Sequence, residues 1–212
     1  MKARQPNLYP SLALYVREAL AEIDAILAER KAALKLIAKF IQERTRAVET
    51  AKLVFICTHN SRRSQIAQVW AQAAAVVFGV PAVEVYSGGT EAGAFNPRAV
   101  AALVRAGFRV ERRSEGENPR YEVRYAAQAP PIECFSKVYD QAANPARDFC
   151  AVMTCSSADE ACPVVLGAAE RISLPYDDPG AFDGTDQEAT AYDDRCRQIA
   201  REMLAVFSTA RD

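Results

Sequence analysis

Histidine is nearly absent from this chain: His59 is the only one among 212 residues. That scarcity removes several chemistries together. A Ser-His-Asp triad would have to use a histidine far from any serine elbow, and a zinc site built on two histidines cannot form. No Cys-x2-Cys pair is present, so an all-cysteine zinc site lacks its usual spacing. Long apolar runs are missing too. Nothing approaches the ~20 apolar residues of a membrane span, and the opening MKARQPNLYPS has no apolar core of the length a signal peptide needs. Neither sign of charge is in excess: the net charge is −1, which gives no general attraction to nucleic acid or to an acidic membrane surface. The expectation is a cytoplasmic chain with no nucleic-acid and no membrane partner, its six cysteines resting mostly as thiols. At 50% hydrophobic it is long enough for one well-buried domain plus an extension.

What is present centres on residues 53–64 (LVFICTHNSRRS). Four apolar residues rich in β-branching read as a buried strand that ends on Cys57. Residues 65–78 (QIAQVWAQAAAVVF) then read as an alanine-rich helix. A strand, a six-residue loop and a helix N-terminus make a cup of backbone N–H groups suited to a tetrahedral oxyanion. A cysteine at the bottom of that cup has its thiolate favoured by the helix end and by the Arg63 guanidinium. Arg63 can also grip two oxygens of the anion in a planar fork, which a lysine could not do. Asn60 tolerates the left-handed backbone that turns such N–H groups inward. His59, inside the loop, reads as a loop-shaping or substrate-facing residue rather than a general base.

Around this loop the sequence alternates strand and helix. Residues 83–86 read as a second strand, 149–154 as a third and 171–175 as a fourth. Helices are expected from Asn96-Pro97 to residue 106 and from about 186 to 207. This pattern predicts an α/β fold, a doubly wound four-stranded parallel sheet with its ligand at the strands' C-terminal edge. Cys57, Cys155 and Asp178 all fall just past strand ends and so converge there. Residues 114–147 read as an irregular insertion in which 121–125 and 132–135 pair as a hairpin. Residues 8–48 carry two helical patterns, the first with Ser11 as its expected N-cap. Its Leu12, Tyr15, Ala19 and Ile23 recur at helical spacing, as do Leu34, Ile37, Ala38 and Ile41 in the second. The division is therefore an N-terminal helical extension over residues 1–50 and an α/β domain over 51–212. The extension is expected to pack on the domain or on a twin subunit, the latter giving a homodimer. It carries no reactive group, so the chemistry is expected to survive its removal.

Cys155 and Cys162 form a second constellation. The first ends a strand and the second lies on a polar segment, a spacing poor for zinc but suited to a redox pair that closes when the segment between them unwinds. Cys134, Cys150 and Cys196 read as unreactive packing residues. Residues 175–179 (PYDDP) follow the fourth strand and offer Asp177 and Asp178. A carboxyl group there can protonate an oxygen that leaves phosphorus or arsenic when a thiolate attacks.

The loop resembles the signature of the low-molecular-weight protein tyrosine phosphatases and of the thioredoxin-coupled arsenate reductases that share their fold. That signature is Cys-x5-Arg-Ser with Asn three residues after the Cys, here Cys57, Asn60, Arg63 and Ser64. The resemblance covers roughly residues 52–208 and takes in residues 87–92 (SGGTEA) with Asn96-Pro97. It implies an oxyanion-binding loop of Thr58, His59, Asn60, Ser61, Arg62 and Ser64 around Cys57 and Arg63, with the Ser64 hydroxyl bonded to the thiolate. It implies that Asp178, immediately before a proline, is the acid, and that Cys155 with Cys162-Pro163 is the Cys-x6-Cys-Pro redox element of the reductases. The function implied is arsenate reduction to arsenite, regenerated by a thioredoxin-like dithiol protein. The alternative is a protein tyrosine phosphatase that splits phosphate esters through a phosphocysteine at Cys57. A non-catalytic oxyanion-binding module ranks last, because it leaves the three cysteines and the aspartate unexplained. No cofactor and no metal are implied. The chain departs from the family pattern at Gln68, where many relatives carry Glu beside a cation, and at Arg62, where the reductases have an extra cysteine. Gly180 follows the Asp-Pro, where phosphatases often present aromatics.

Overall fold

The computed structural model describes residues 7–162 and 164–211. Residues 1–6, where a signal peptide would begin, and Pro163, the proline after Cys162, lie outside the described residues. The chain opens with helices α1 (Pro10–Ala21) and α2 (Ala28–Arg46). Strand β1 (Ala51–Cys57), helix α3 (Arg63–Phe78), strand β2 (Val83–Gly89) and helix α4 (Pro97–Arg105) follow. Three short strands, β3 (Arg109–Arg112), β4 (Tyr121–Arg124) and β5 (Ile132–Cys134), form a separate antiparallel sheet. The chain then returns through β6 (Phe149–Met153), α5 (Ser156–Ala161), β7 (Ala168–Ser173) and α6 (Glu188–Arg211). No helix among the described residues is long and apolar enough to cross a membrane.

The expected four-stranded parallel sheet is the backbone of the fold, in the order β2-β1-β6-β7. From β1 the chain builds outward to β2 on one side, and β6 and β7 continue on the other. The strand order therefore reverses beside β1, and the crevice beyond the C-terminal ends of β1 and β6 is where such sheets take ligands. Register sets what meets there: Cys57 is level with Gly89, and Ile56 with Met153.

Strand alternation gives the sheet two unlike faces. Leu53 and Phe55 point into a large core built with α3, α6 and the N-terminal helices. Trp70 of α3 lies at its centre, stacked on Tyr15 of α1 at 5.3 Å and edge-on to Phe108 at 4.9 Å. Its Nε1 donates to Cys196 Sγ at 3.2 Å. Leu12, Ile37 and Ile41 are fully buried in the same core, and burial of each such side chain contributes about 1.5–3 kcal/mol. Val54 and Ile56 face the other way, into a smaller cluster with Met153, Cys155, Ala158 and Val165, flanked by Tyr86 and Tyr139.

Three local expectations change. Ser11 is not the N-cap of α1. Pro10 takes the first helical turn with its fixed φ, so Tyr9 caps without a side-chain bond, and its N–H donates to Tyr125 O at 3.0 Å. The hairpin of β4 and β5 forms as expected but gains β3 at its outer edge. The polar segment between Cys155 and Cys162 is a helix, α5, with Cys155 at its N-cap and Cys162 at its C-cap.

Candidate active site

Residues 57–63 turn from the end of β1 into α3, and a network of polar side chains fixes their path. Asn60 has φ +46°, the left-handed conformation expected of it. Its side chain is fully buried with both ends engaged: Oδ1 accepts from Lys137 N at 3.0 Å and from Gln65 Nε2 at 3.2 Å. Those two donors fix the amide's orientation, so Nδ2 donates to Ser64 Oγ, 2.9 Å away. Ser64 Oγ lies 3.0 Å from Cys57 Sγ. Because it already accepts from Asn60, its own hydrogen is free to point at the sulfur. A chain of three side chains thus runs from the loop's strained corner to Cys57. Among the described residues, no backbone N–H of residues 58–63 donates a hydrogen bond inside the protein, which leaves the donors of this turn without an acceptor.

Close approach of backbones requires glycine at one point. A Cβ on Gly89 would lie 2.3 Å from Glu91 O and 2.5 Å from Thr58 O. Asn96, which caps α4 by accepting from Arg98 N, also donates its own N–H to Ser61 O at 2.9 Å. The insertion completes the brace. Ser136 Oγ donates to His59 O at 2.9 Å, Lys137 N reaches Asn60, and Lys137 O accepts from Gly89 N at 2.9 Å. Sequence reasoning missed Ser136 and Lys137. Ser136 acts on the backbone of His59 and the Lys137 N–H on the side chain of Asn60, each across 77 residues of chain, and no local pattern announces such a contact.

Arg63 reaches from the loop to the segment after β7. Its Nη1 donates to Tyr176 O and its Nη2 to Asp178 Oδ2, both at 2.8 Å. Its buried Nε has no partner, so that N–H of the guanidinium remains available. Asp178 Oδ1 accepts from Gly180 N at 3.0 Å and caps the 3₁₀ turn Pro179–Phe182. Asp177 points away, 98% exposed, to Arg195 at 3.2 Å. Of the two neighbouring carboxylates, only Asp178 meets Arg63.

Cys155 is buried on the same edge. Its Sγ lies 3.5 Å from Thr58 Oγ1 and accepts from Ala158 N at 3.4 Å. Cys162 is partly exposed at the far end of α5. Arg171 ties that end down, donating to Cys162 O at 3.0 Å and to Asp159 O and Oδ1 at 2.6 Å each. The other three thiols are buried elsewhere, and burial pushes Cys134 up to about 12 and Cys196 up to about 11. Cys150, in β6, is raised by the same cause. Gln68 is buried with both ends engaged, accepting from Ser87 Oγ at 2.6 Å and donating to Glu133 O at 3.5 Å. His59 is exposed, 3.7 Å from Glu91. Among the described residues no group of three His, Cys, Asp or Glu side chains is arranged to hold a metal ion.

The chain as a whole has relatives among known proteins. The family model for low molecular weight phosphotyrosine protein phosphatase matches residues 52–121. An arsenate reductase 2 of Staphylococcus epidermidis is 30% identical over 127 residues, 60% of this chain and 77% of that protein. The chain belongs to the low-molecular-weight phosphatase superfamily. It is an enzyme of the branch that holds both phosphatases and arsenate reductases. An arsenate reductase of Halalkalibacterium halodurans is 28% identical over 156 residues, which take in 74% of this chain and 94% of that protein. In fold, the chain is similar to a crystallised YwlE mutant from Bacillus subtilis. The TM-score is 0.51 at 15% identity, covering 77% of this chain and 100% of that one. Residues 8–48 precede the matched family segment, and in this superfamily member they share the main core.

Proposed function

We propose that the chain reduces arsenate to arsenite with a relay of Cys57, Cys155 and Cys162. The observation that carries this reading is the position of Cys155: buried at the N-cap of α5 and 3.5 Å from the residue that follows Cys57, while Cys162 ends the same helix partly exposed. A hydrolase has no use for a second thiol beside the nucleophile and a third on a path to solvent. The curated relatives named arsenate reductase support the same reading.

In the first step the Cys57 thiolate attacks arsenic, held by the loop N–H groups and the Arg63 fork. An As–O bond breaks, and Asp178 protonates the oxygen, which leaves as water. In the second, Cys155 attacks the Cys57 sulfur. A disulfide forms, the S–As bond breaks and its electron pair stays on arsenic, which departs as arsenite. In the third, Cys162 attacks Cys155 and Cys57 leaves as a thiolate. An external dithiol of the thioredoxin class, in the cytoplasm, then reduces the Cys155–Cys162 disulfide and is itself oxidised.

The third step needs a conformational change. The two cysteines bracket α5, and seven residues of helix rise span about 10 Å. A disulfide bridges Cα atoms no more than ~7 Å apart. The helix must therefore unwind for the outer disulfide to close.

Peptide mapping of thiols after one turnover with arsenate, without reductant, tests the proposal. The expected product is the Cys155–Cys162 disulfide, and Cys162→Ser should trap Cys57–Cys155 instead. Three reduced thiols together with brisk aryl phosphate hydrolysis would overturn it in favour of the phosphatase, the reading that the matched family model favours.

A further inference from the structure

Arg62 sits in the anion loop but sends its guanidinium out of it. Nε donates to Tyr192 Oη at 2.8 Å, Nη2 to Asp183 Oδ2 at 3.2 Å, and Nη1 lies 3.7 Å from Asp178 Oδ2. The guanidinium also lies against Gly180, where a Cβ would come 2.8 Å from its Cζ. One side chain therefore touches the start, the middle and the end of residues 178–183. The far end is itself anchored: Tyr192 Oη donates to Asp183 Oδ1 at 2.9 Å, and Arg98 Nε lies 3.6 Å from the same carboxylate. Tyr192 is fully buried on α6, and burial followed by the Asp183 carboxylate pushes it up to about 12. It remains a phenol, able to accept from Arg62 and donate to Asp183 together.

Arg63 holds Asp178 Oδ2 as well, yet its fork is the group proposed to take the oxyanion. Once it turns to the anion, Asp178 loses that anchor, and its turn needs another tie to hold the carboxyl group over the loop. We propose that Arg62 is the positioning residue for Asp178: it pins the turn of residues 178–183 to the anion loop so that the carboxyl group stays aimed at the departing oxygen while Arg63 binds the anion. The inference rests on the reading of Asp178 as the proton donor. Gly180 belongs to the same device, since only a residue without a Cβ lets the guanidinium lie this close. This accounts for a glycine and an arginine at two positions where the family pattern carries other residues.

Leaving-group dependence in the full-length enzyme tests this. Arsenate must lose a hydroxide equivalent and needs the acid. 2,4-Dinitrophenyl phosphate loses a stable phenolate and hardly needs one, so the burst of phenolate reports Cys57 attack alone. Arg62→Ala should lower single-turnover arsenite release by ~30-fold and the phenolate burst by no more than ~5-fold, a split that general-acid loss predicts. Arg62→Lys should not restore activity, because a single ammonium cannot span the Tyr192–Asp183 pair and Asp178 as the three nitrogens of the guanidinium do. Tyr192→Phe, which keeps the buried ring, should shift both rates in the same direction by less, and it serves if Arg62 variants fail to fold. Asp178→Asn is run in parallel. Equal loss on both substrates in the Arg62 and Tyr192 variants, with the split retained by Asp178→Asn, would overturn the role of Arg62 alone. No split in Asp178→Asn would overturn the acid assignment, and this inference with it.

Discussion

Arg30 of α2 and Glu202 of α6 form a two-pronged ion pair, Nε to Oε1 at 2.6 Å and Nη2 to Oε2 at 2.8 Å. Glu202 is fully buried. The same guanidinium donates through Nη1 to Pro175 O at 2.9 Å and lies 4.8 Å from the centroid of the Tyr176 ring. Tyr176 O in turn accepts from Arg63. Two steps thus link the N-terminal extension to the guanidinium of the anion loop.

That link changes what truncation should do. The proposed reactive groups all lie beyond residue 56, but residues 8–48 cover α6 and supply the cation that neutralises Glu202. Arg30→Ala leaves a carboxylate buried without its partner, which costs roughly 3–5 kcal/mol. Denaturant unfolding should read this as a lower midpoint, together with reduced arsenate turnover as residues 175–178 lose their support. Deletion of residues 1–48 should give aggregated protein, with the face of Trp70 and α6 uncovered. A soluble, folded and fully active deletion variant would show that the extension is dispensable after all.

Cys57→Ser should abolish arsenate reduction and any phosphate ester hydrolysis, because a hydroxyl is far less acidic than a thiol and Ser64 cannot activate it. Arg63→Lys should be nearly as severe. The charge survives, but one ammonium cannot hold Tyr176 O while forking onto two oxygens of the anion. Steady-state kinetics with arsenate decides both, and near-normal values for Arg63→Lys would argue against two-oxygen binding.

Asp178→Asn should lower turnover by ~10²–10⁴-fold with little change in anion affinity, the range for loss of a general acid. Asp177→Asn should cost far less, since Asp177 is exposed and faces Arg195 rather than the loop. Product-release rates for the two variants, compared with phosphate inhibition constants, separate chemistry from binding. A larger loss at Asp177 would reverse the assignment.

Much of this was legible in the sequence because it lies in strong local patterns. The buried strand ending on Cys57, the helix behind it, and the parallel sheet all follow from apolar runs and their spacing. Strand β3 was not legible: Arg109, Glu111 and Arg112 are polar, and Val110 alone gives no alternation to read. Helix α5 was hidden for a different reason. Ser156–Ala161 is too short and polar for a periodic signal, and it is held by tertiary bonds from Arg171 and Ser173 to Asp159. The direction of Arg62 was equally unreadable, since its partners Asp183 and Tyr192 lie 121 and 130 residues away.

Those bonds to Asp159 lead to the last prediction. If the outer disulfide requires α5 to unwind, whatever clamps the helix sets the rate of that step. Arg171 is the main clamp, donating to Asp159 O, Asp159 Oδ1 and Cys162 O, and Ser173 Oγ adds a bond to Asp159 Oδ2 at 2.6 Å. The pair is roughly one-quarter exposed, and hydrogen bonds to charged groups are worth ~1.5–3 kcal/mol. Part of that value, released by Arg171→Ala, should raise the population of opened α5 by ~10-fold. Stopped quench with peptide mapping, after arsenate and without reductant, should then show Cys155–Cys162 forming faster while Cys57–Cys155 forms at the wild-type rate. The variant should also close the outer disulfide more readily under a mild oxidant with no arsenate present. Unchanged kinetics for the second disulfide would mean that opening of α5 is not limiting and that the cysteines meet by another movement.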